Sequence, residues 1–148
     1  MNLSRNFTLA ELTRTSTGLP NYPGPVIEAS LGALCVGCLE PIREILGVPM
    51  HVNSGYRSAS VNAAIGGAKG SQHMLGEACD FTAPSYPGNM RDAMTALVAA
   101  VKDGRLVVDQ MIYYSSGFIH VSYRRGTNRN QLLRSAASGG SGGPYMAW

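Results

Sequence analysis

The run from Val26 to Leu46 constrains the fold more than any other feature. Its apolar residues, Val26, Ile27, Leu31, Leu34, Cys35, Cys38, Leu39, Ile42, Ile45 and Leu46, recur at helical spacing, and Gly47 follows as a stop signal. Such a helix must be covered by other elements, so it is expected as the main core element. Pro41 lies inside it. Proline cannot give an N–H to the preceding turn and its ring crowds a carbonyl there, so a kink or break is expected at that point.

The remaining elements are shorter. Thr8-Leu9-Ala10-Glu11 is a capping box that starts a short helix. Residues 17 to 25 are rich in Gly and Pro and read as a loop. Met50 to Ser54 is extended in character, and Ser58 to Ile65 can make one or two helical turns. Gly66, Gly67 and Gly70 make a loop that leads to His73, and Ala78 to Thr82 reads as a buried strand. Asn89 can cap a helix with Asp92 at its third position, striped by Ala93, Met94, Leu97, Val98 and Val101 and ended by Gly104. Val107 to Tyr114 and Phe118 to Tyr123, separated by Ser115-Ser116-Gly117, form a hairpin signal. In the second run Phe118, His120 and Ser122 share one face, and Ile119, Val121 and Tyr123 the other. This order implies an α+β fold with a small, largely antiparallel sheet packed by helices. The domain is expected over residues 1–134, with a flexible Gly/Ser-rich tail over 135–148.

Composition narrows the class. A chain of 148 residues, 45% of them hydrophobic, can bury a core as one domain. The net charge of +3 is compatible with an anionic partner such as a bacterial wall, but it is far below the footprint of a nucleic-acid binder. The odd cysteine count, Cys35, Cys38 and Cys79, argues against a disulfide scaffold. Cys35 and Cys38 fall within the helical pattern with no second pair to complete a metal site, so they read as small buried hydrophobes. The N-terminal residues lack the apolar segment of a signal peptide, and no apolar stretch looks long enough to span a bilayer. The expectation is a product made in the cytoplasm, without membrane insertion, that needs delivery if its substrate lies outside.

The chemistry concentrates in Ser71-Gln72-His73 through Asp80 and in Ile119-His120-Val121-Ser122. Two imidazoles and one carboxylate are the donor set of a catalytic zinc ion that keeps a fourth position open for water. Residue type alone leaves a second reading open, two unrelated histidines and a buried aspartate. His51 lies among strand residues and reads as a surface side chain.

Several motifs together carry a resemblance: Ser54-Gly55-Tyr56-Arg57-Ser58, Val61-Asn62, Ile65-Gly66-Gly67-Ala68, Ser71-Gln72-His73 through Asp80, Asp109-Gln110-Met111-Ile112 and Ile119-His120-Val121-Ser122. Phe7 to Leu12, Leu39 to Arg43 and Asn128-Arg129 add to it. Over about residues 6–133 the chain resembles the D-alanyl-D-alanine metallopeptidases of the hedgehog/DD-peptidase fold, in particular the small carboxypeptidase-like branch of bacteria and phages. The resemblance implies zinc held by His73, Asp80 and His120, and Arg57 as the residue that polarises the scissile carbonyl or grips a carboxylate. It also implies that Ser54 and Ser71 shape the substrate pocket and orient the ligands. The implied activity is hydrolysis of a peptide bond in peptidoglycan stem peptides, at the cell wall, as in a phage enzyme of lysis or wall penetration. A non-catalytic wall-binding or virion structural protein with the same zinc is the alternative.

The pattern departs from the family at one place. An acidic general base is expected three residues before the last histidine, or near Tyr114, and Gly117 and Tyr114 are not acidic. Asp109 reads as structural and Glu77 as facing away. Tyr113 or Tyr114 can donate a hydrogen bond to an oxyanion, with Tyr114 taken as the catalytic candidate, but a tyrosine with a pKa of about 10 is a poor base. The bond cut and the oligomeric state are not legible.

Overall fold

The computed structural model describes residues 1–136 and 143–148. Helix α1 (Leu9–Thr13) starts at Thr8, whose side chain accepts from the Glu11 N–H while Glu11 reaches back, the expected capping box. Helices α2 (Pro25–Leu34) and α3 (Glu40–Leu46) are joined by a π turn over Cys35–Leu39. That turn is how the chain handles Pro41. The Glu40 N–H reaches five residues back to the Cys35 carbonyl, so the rod widens just before the proline instead of breaking. Helix α4 (Ala59–Ala64) is capped by Ser58, and α5 (Met90–Lys102) carries the Asn89–Asp92 capping box.

Six strands form one sheet: β1 (His51–Ser54), β2 (Ala78–Thr82), β3 (Gln110–Tyr114), β4 (Phe118–Ser122), β5 (Gln131–Ser135) and β6 (Met146–Ala147), in the spatial order β1-β2-β4-β3-β5-β6. Every neighbouring pair is antiparallel except β3 with β5. The architecture is the α+β arrangement expected, with the β3–β4 hairpin turning at Gly117. The first hairpin strand is shorter than its apolar run, starting at Gln110 instead of Val107.

Alternation along the strands separates core from site. Cys79 and Phe81 of β2, Met111 of β3, and Ile119 and Val121 of β4 are buried in the same cluster as Leu31, Leu34, Leu39 and Ile42 of the long rod and Met94 and Leu97 of α5. Burying each large aliphatic side chain stabilises the fold by about 1.5–3 kcal/mol before entropy is counted. All three cysteines are free and buried, as expected, and burial raises each thiol pKa, that of Cys35 to about 12.

Two expectations are corrected. Counted through the π turn, Pro25–Leu46 is one helix of 22 residues, long and apolar enough by length and composition to cross a membrane. The break expected at Pro41 would have divided that run into two shorter pieces, and the π turn keeps it whole. The rod is instead the core helix: Leu31, Leu34, Cys35, Cys38, Leu39 and Ile42 are fully buried. The second correction concerns the flexible tail over 135–148. Residues 137–142 lie outside the described residues, but both flanks sit on the sheet: Ser135 closes β5, and Met146 and Ala147 pair with Arg134 and Leu133. The Tyr-Met-Ala-Trp end adds packing surface to its ladder, with Trp148 set against Tyr113.

Candidate metal centre

His73, Asp80 and His120 reach one point from three different elements. Register does most of the work for two of them. β2 and β4 pair so that Asp80 and His120 are direct cross-strand partners, on the sheet face opposite the core. Their side chains meet, with Asp80 Oδ1 2.8 Å from His120 Nδ1. His73 sits on a 3-10 turn, Gln72–Leu75, whose cap is Ser71: the Ser71 hydroxyl accepts from the His73 N–H at 3.2 Å. The His73 ring is buried, and its Nδ1–H donates to the Gly55 carbonyl at 2.7 Å. A carbonyl can only accept, so that bond fixes the tautomer and leaves Nε2 bare, 3.3 Å from Asp80 Oδ1.

One ligand atom from each of these residues lies within 4.8 Å of the others. Electrostatics agree with a cation site. Burial favours the neutral forms of both His73 and Asp80. For Asp80 the two imidazoles outweigh burial and hold the carboxyl well below the usual carboxylate range. For His73 burial wins, so the ring is neutral and able to donate a lone pair. Imidazole nitrogens with an ionised carboxylate are the donor chemistry zinc accepts.

Arg57 stands beside the three donors and is 7% exposed. Its guanidinium is held on three sides: Nε donates to Ser54 Oγ at 3.0 Å, one terminal nitrogen to Asn62 Oδ1 at 3.5 Å, and the other to Asp80 Oδ2 at 3.3 Å. Burial draws its pKa down, and the Asp80 charge opposes that. Asn62 is tied in turn to the Ala68 carbonyl. Gly67 passes so close that a Cβ there would lie 2.1 Å from Asn62 Oδ1. Asn62 and Gly67 thus hold Arg57 in place, a role their motif did not reveal.

A cavity of about 320 Å³ opens over the donors, lined by Arg57, Ser71, His73, Asp80, His120, Gln110, Tyr114, Phe118 and Tyr145 among others. Ser71 therefore reaches the cavity, whereas Ser54 does not. Ser54 stands behind Arg57, where its hydroxyl accepts from the guanidinium and so orients it. Tyr114 is in the wall, its hydroxyl 3.3 Å from that of Tyr145. Burial, then the bond to Tyr145, raises its pKa, so it stays a neutral phenol that can donate a hydrogen bond and does not serve as a base.

Among the described residues, Asp80 is the only carboxylate lining the cavity. The position expected for a general base is Gly117, which sits at φ +109° in the hairpin turn, a conformation that L side chains rarely adopt. Asp109 is buried and engaged by Arg129 and Gln72, consistent with a structural part. Glu77 lies outside the cavity, where its side chain accepts from Gln72. Tyr145 was not foreseen, because its placement depends on the return of the chain to β5.

Sheet and turn together bring three donors to a point where they could hold a metal ion, as in metal-dependent hydrolases. Residues 5–122 match the model of the Peptidase M15 family, and the chain belongs to that family. It is also 38% identical over 82 residues to the zinc D-Ala-D-Ala carboxypeptidase of Streptomyces albus G, a match covering 54% of this chain and 32% of that protein. The chain thus spans about a third of the length of the curated relative it matches.

Proposed function

We propose that the protein is a zinc-dependent peptidase acting on stem peptides of bacterial peptidoglycan at the cell wall, with His73, Asp80 and His120 as the metal ligands. The observation that carries this reading is the convergence of the three donors beneath a cavity that Arg57 shares. Zinc held there supplies Lewis acidity and a water of lowered pKa. The other roles belong to the chain. Arg57, fixed by Ser54, Asn62 and Asp80, grips the carbonyl oxygen or a terminal carboxylate without a reorganisation cost. The Tyr114 hydroxyl donates to the oxygen that gains charge. Ser71 sets the His73 turn. The name of the similar Streptomyces protein and the family match support this reading. A phage enzyme of lysis or wall penetration is compatible with it.

The cavity favours one alternative. With Asp80 as its only carboxylate among the described residues, the site lacks the acid that would move a proton to the leaving amine. A wall-binding or virion structural protein that keeps zinc without turnover fits that observation.

Purified protein, with and without chelator, incubated with wall fragments and analysed by mass spectrometry separates the two. Chelator-sensitive release of an amino acid or peptide supports the enzyme. Stoichiometric zinc with no product across several wall types supports the binding protein. Absence of retained zinc refutes both.

A further inference from the structure

The segment 143–148 lies beyond the residues matched by the family model, which ends at 122, yet it supplies a wall of the cavity through Tyr145. Two anchors seat it. Met146 and Ala147 pair with Arg134 and Leu133, and the Trp148 N–H donates to the Leu132 carbonyl at 3.1 Å. The Trp148 ring then packs edge-on against Tyr113 at 6.0 Å, with the Arg91 guanidinium 5.4 Å from its centroid. Backbone and ring contacts immediately after Tyr145 fix where that residue sits.

The sheet order gives the cavity two unlike flanks. Arg57 follows β1 and touches Asp80 on β2, whereas Tyr114 is on β3 and Phe118 begins β4. Tyr114 and Phe118 stack at 4.7 Å, and Tyr145 stands nearly perpendicular to Tyr114 at 6.4 Å. Tyr114 is 3% exposed but Tyr145 is 42% exposed, so Tyr145 retains a free surface for a ligand. Of the two hydroxyls, one donates to the other, and the second proton remains for an acceptor on a ligand. A cation favours the carboxylate end of a peptide; an aromatic wall with one O–H favours the chain on the other side of the reacting carbonyl.

We infer that Tyr145, seated by β6 and Trp148, is a specificity-determining residue that packs against the part of a peptide on the amino side of the scissile bond. This rests on the proposed function. Because the strap is already ordered on β5, little entropy is lost when the ligand docks.

The test uses full-length zinc-loaded protein with three probes: free D-alanyl-D-alanine, an N-acetylated tripeptide ending in D-alanyl-D-alanine, and a disaccharide-pentapeptide wall fragment. Tyr145→Ala is expected to raise KM, or Kd by calorimetry where turnover is absent, about two- to ten-fold for the two longer probes. Zinc content and melting temperature stay near wild type, and the free dipeptide shows no KM or Kd penalty. Tyr145→Phe, which keeps the ring, recovers most of the loss. Trp148→Ala, which loosens the strap, shifts KM in the same direction. Unchanged KM in Tyr145→Ala, or an equal penalty on the free dipeptide, overturns the inference while leaving the proposed function standing. A wild-type protein that neither binds nor cleaves any probe overturns both, and that result is seen before any variant is made.

Discussion

Gly67→Ala tests the way Arg57 is held. The added Cβ would lie 2.1 Å from Asn62 Oδ1, 2.8 Å from its Cγ and 3.2 Å from a terminal nitrogen of Arg57. The backbone cannot simply retreat, because the Gly67 N–H is bonded to the Asn62 carbonyl at 2.9 Å. The Asn62 amide must turn instead, and it then gives up its bonds to Ala68 and Arg57. Overpacking of this kind costs about 1–3 kcal/mol, and a lost buried hydrogen bond about 1 kcal/mol. A net loss of about 2 kcal/mol corresponds to a fall in Tm of about 4–8 °C for a chain of this size. The three metal donors are not touched, so zinc retention should persist while binding of wall peptides weakens. Differential scanning calorimetry, zinc analysis and peptide titration read these quantities separately. Removing the obstructing amide supplies the control: in the double variant Gly67→Ala/Asn62→Ala the penalties should fall well short of additive. A Gly67→Ala protein that melts and binds like wild type, or strictly additive penalties, refutes the reasoning.

Asp80→Asn removes the charged donor that His73, His120 and Arg57 all face, and should reduce zinc retained after dialysis to an undetectable level, checked by metal analysis. Asp109→Asn breaks the pair with Arg129, and should cost about 1–3 kcal/mol at neutral pH. The Arg129 hydrogen bonds hold the Asp109 pKa below its unfolded value, so this contribution is complete above about pH 4 and is lost as pH falls through the folded pKa. Denaturation curves for wild type and variant should therefore converge in acid; a gap that stays constant down to low pH contradicts the assignment. Cys35, Cys38 and Cys79 should remain unreactive to an aqueous thiol reagent in the native protein and react together on unfolding; a rapidly modified native thiol contradicts their burial.

Local chemistry explains what could be foreseen. The Thr8 and Asn89 caps, the hairpin turn at Gly117 and the alternation in β4 depend on residues a few positions apart, and each forms where the sequence places it. The motif around His73 and Asp80 was legible through its resemblance to a known family, since residue type alone left a second reading open. β5 was not foreseen: Gln131–Ser135 is five residues long and becomes a strand by pairing in parallel with β3, which no local signal announces. The span of the core helix was legible, but the way it passes Pro41 was not: a proline reads as a kink or break, while the widened π turn that accommodates it is a response of the folded rod.

The sequence by itself determined the donor types, the cationic Arg57 and the absence of an acid at Gly117, since these are matters of composition at fixed positions. Only the tertiary structure decided that Asp80 and His120 oppose each other across β2 and β4, that Ser54 serves Arg57 rather than the cavity, and that Tyr145 faces the donors. The physical reason is range. Caps and turns are satisfied within a few residues, but strand register and the return of a chain end are settled by hydrogen bonds between segments far apart in sequence, whose free energy exists only once the sheet has closed.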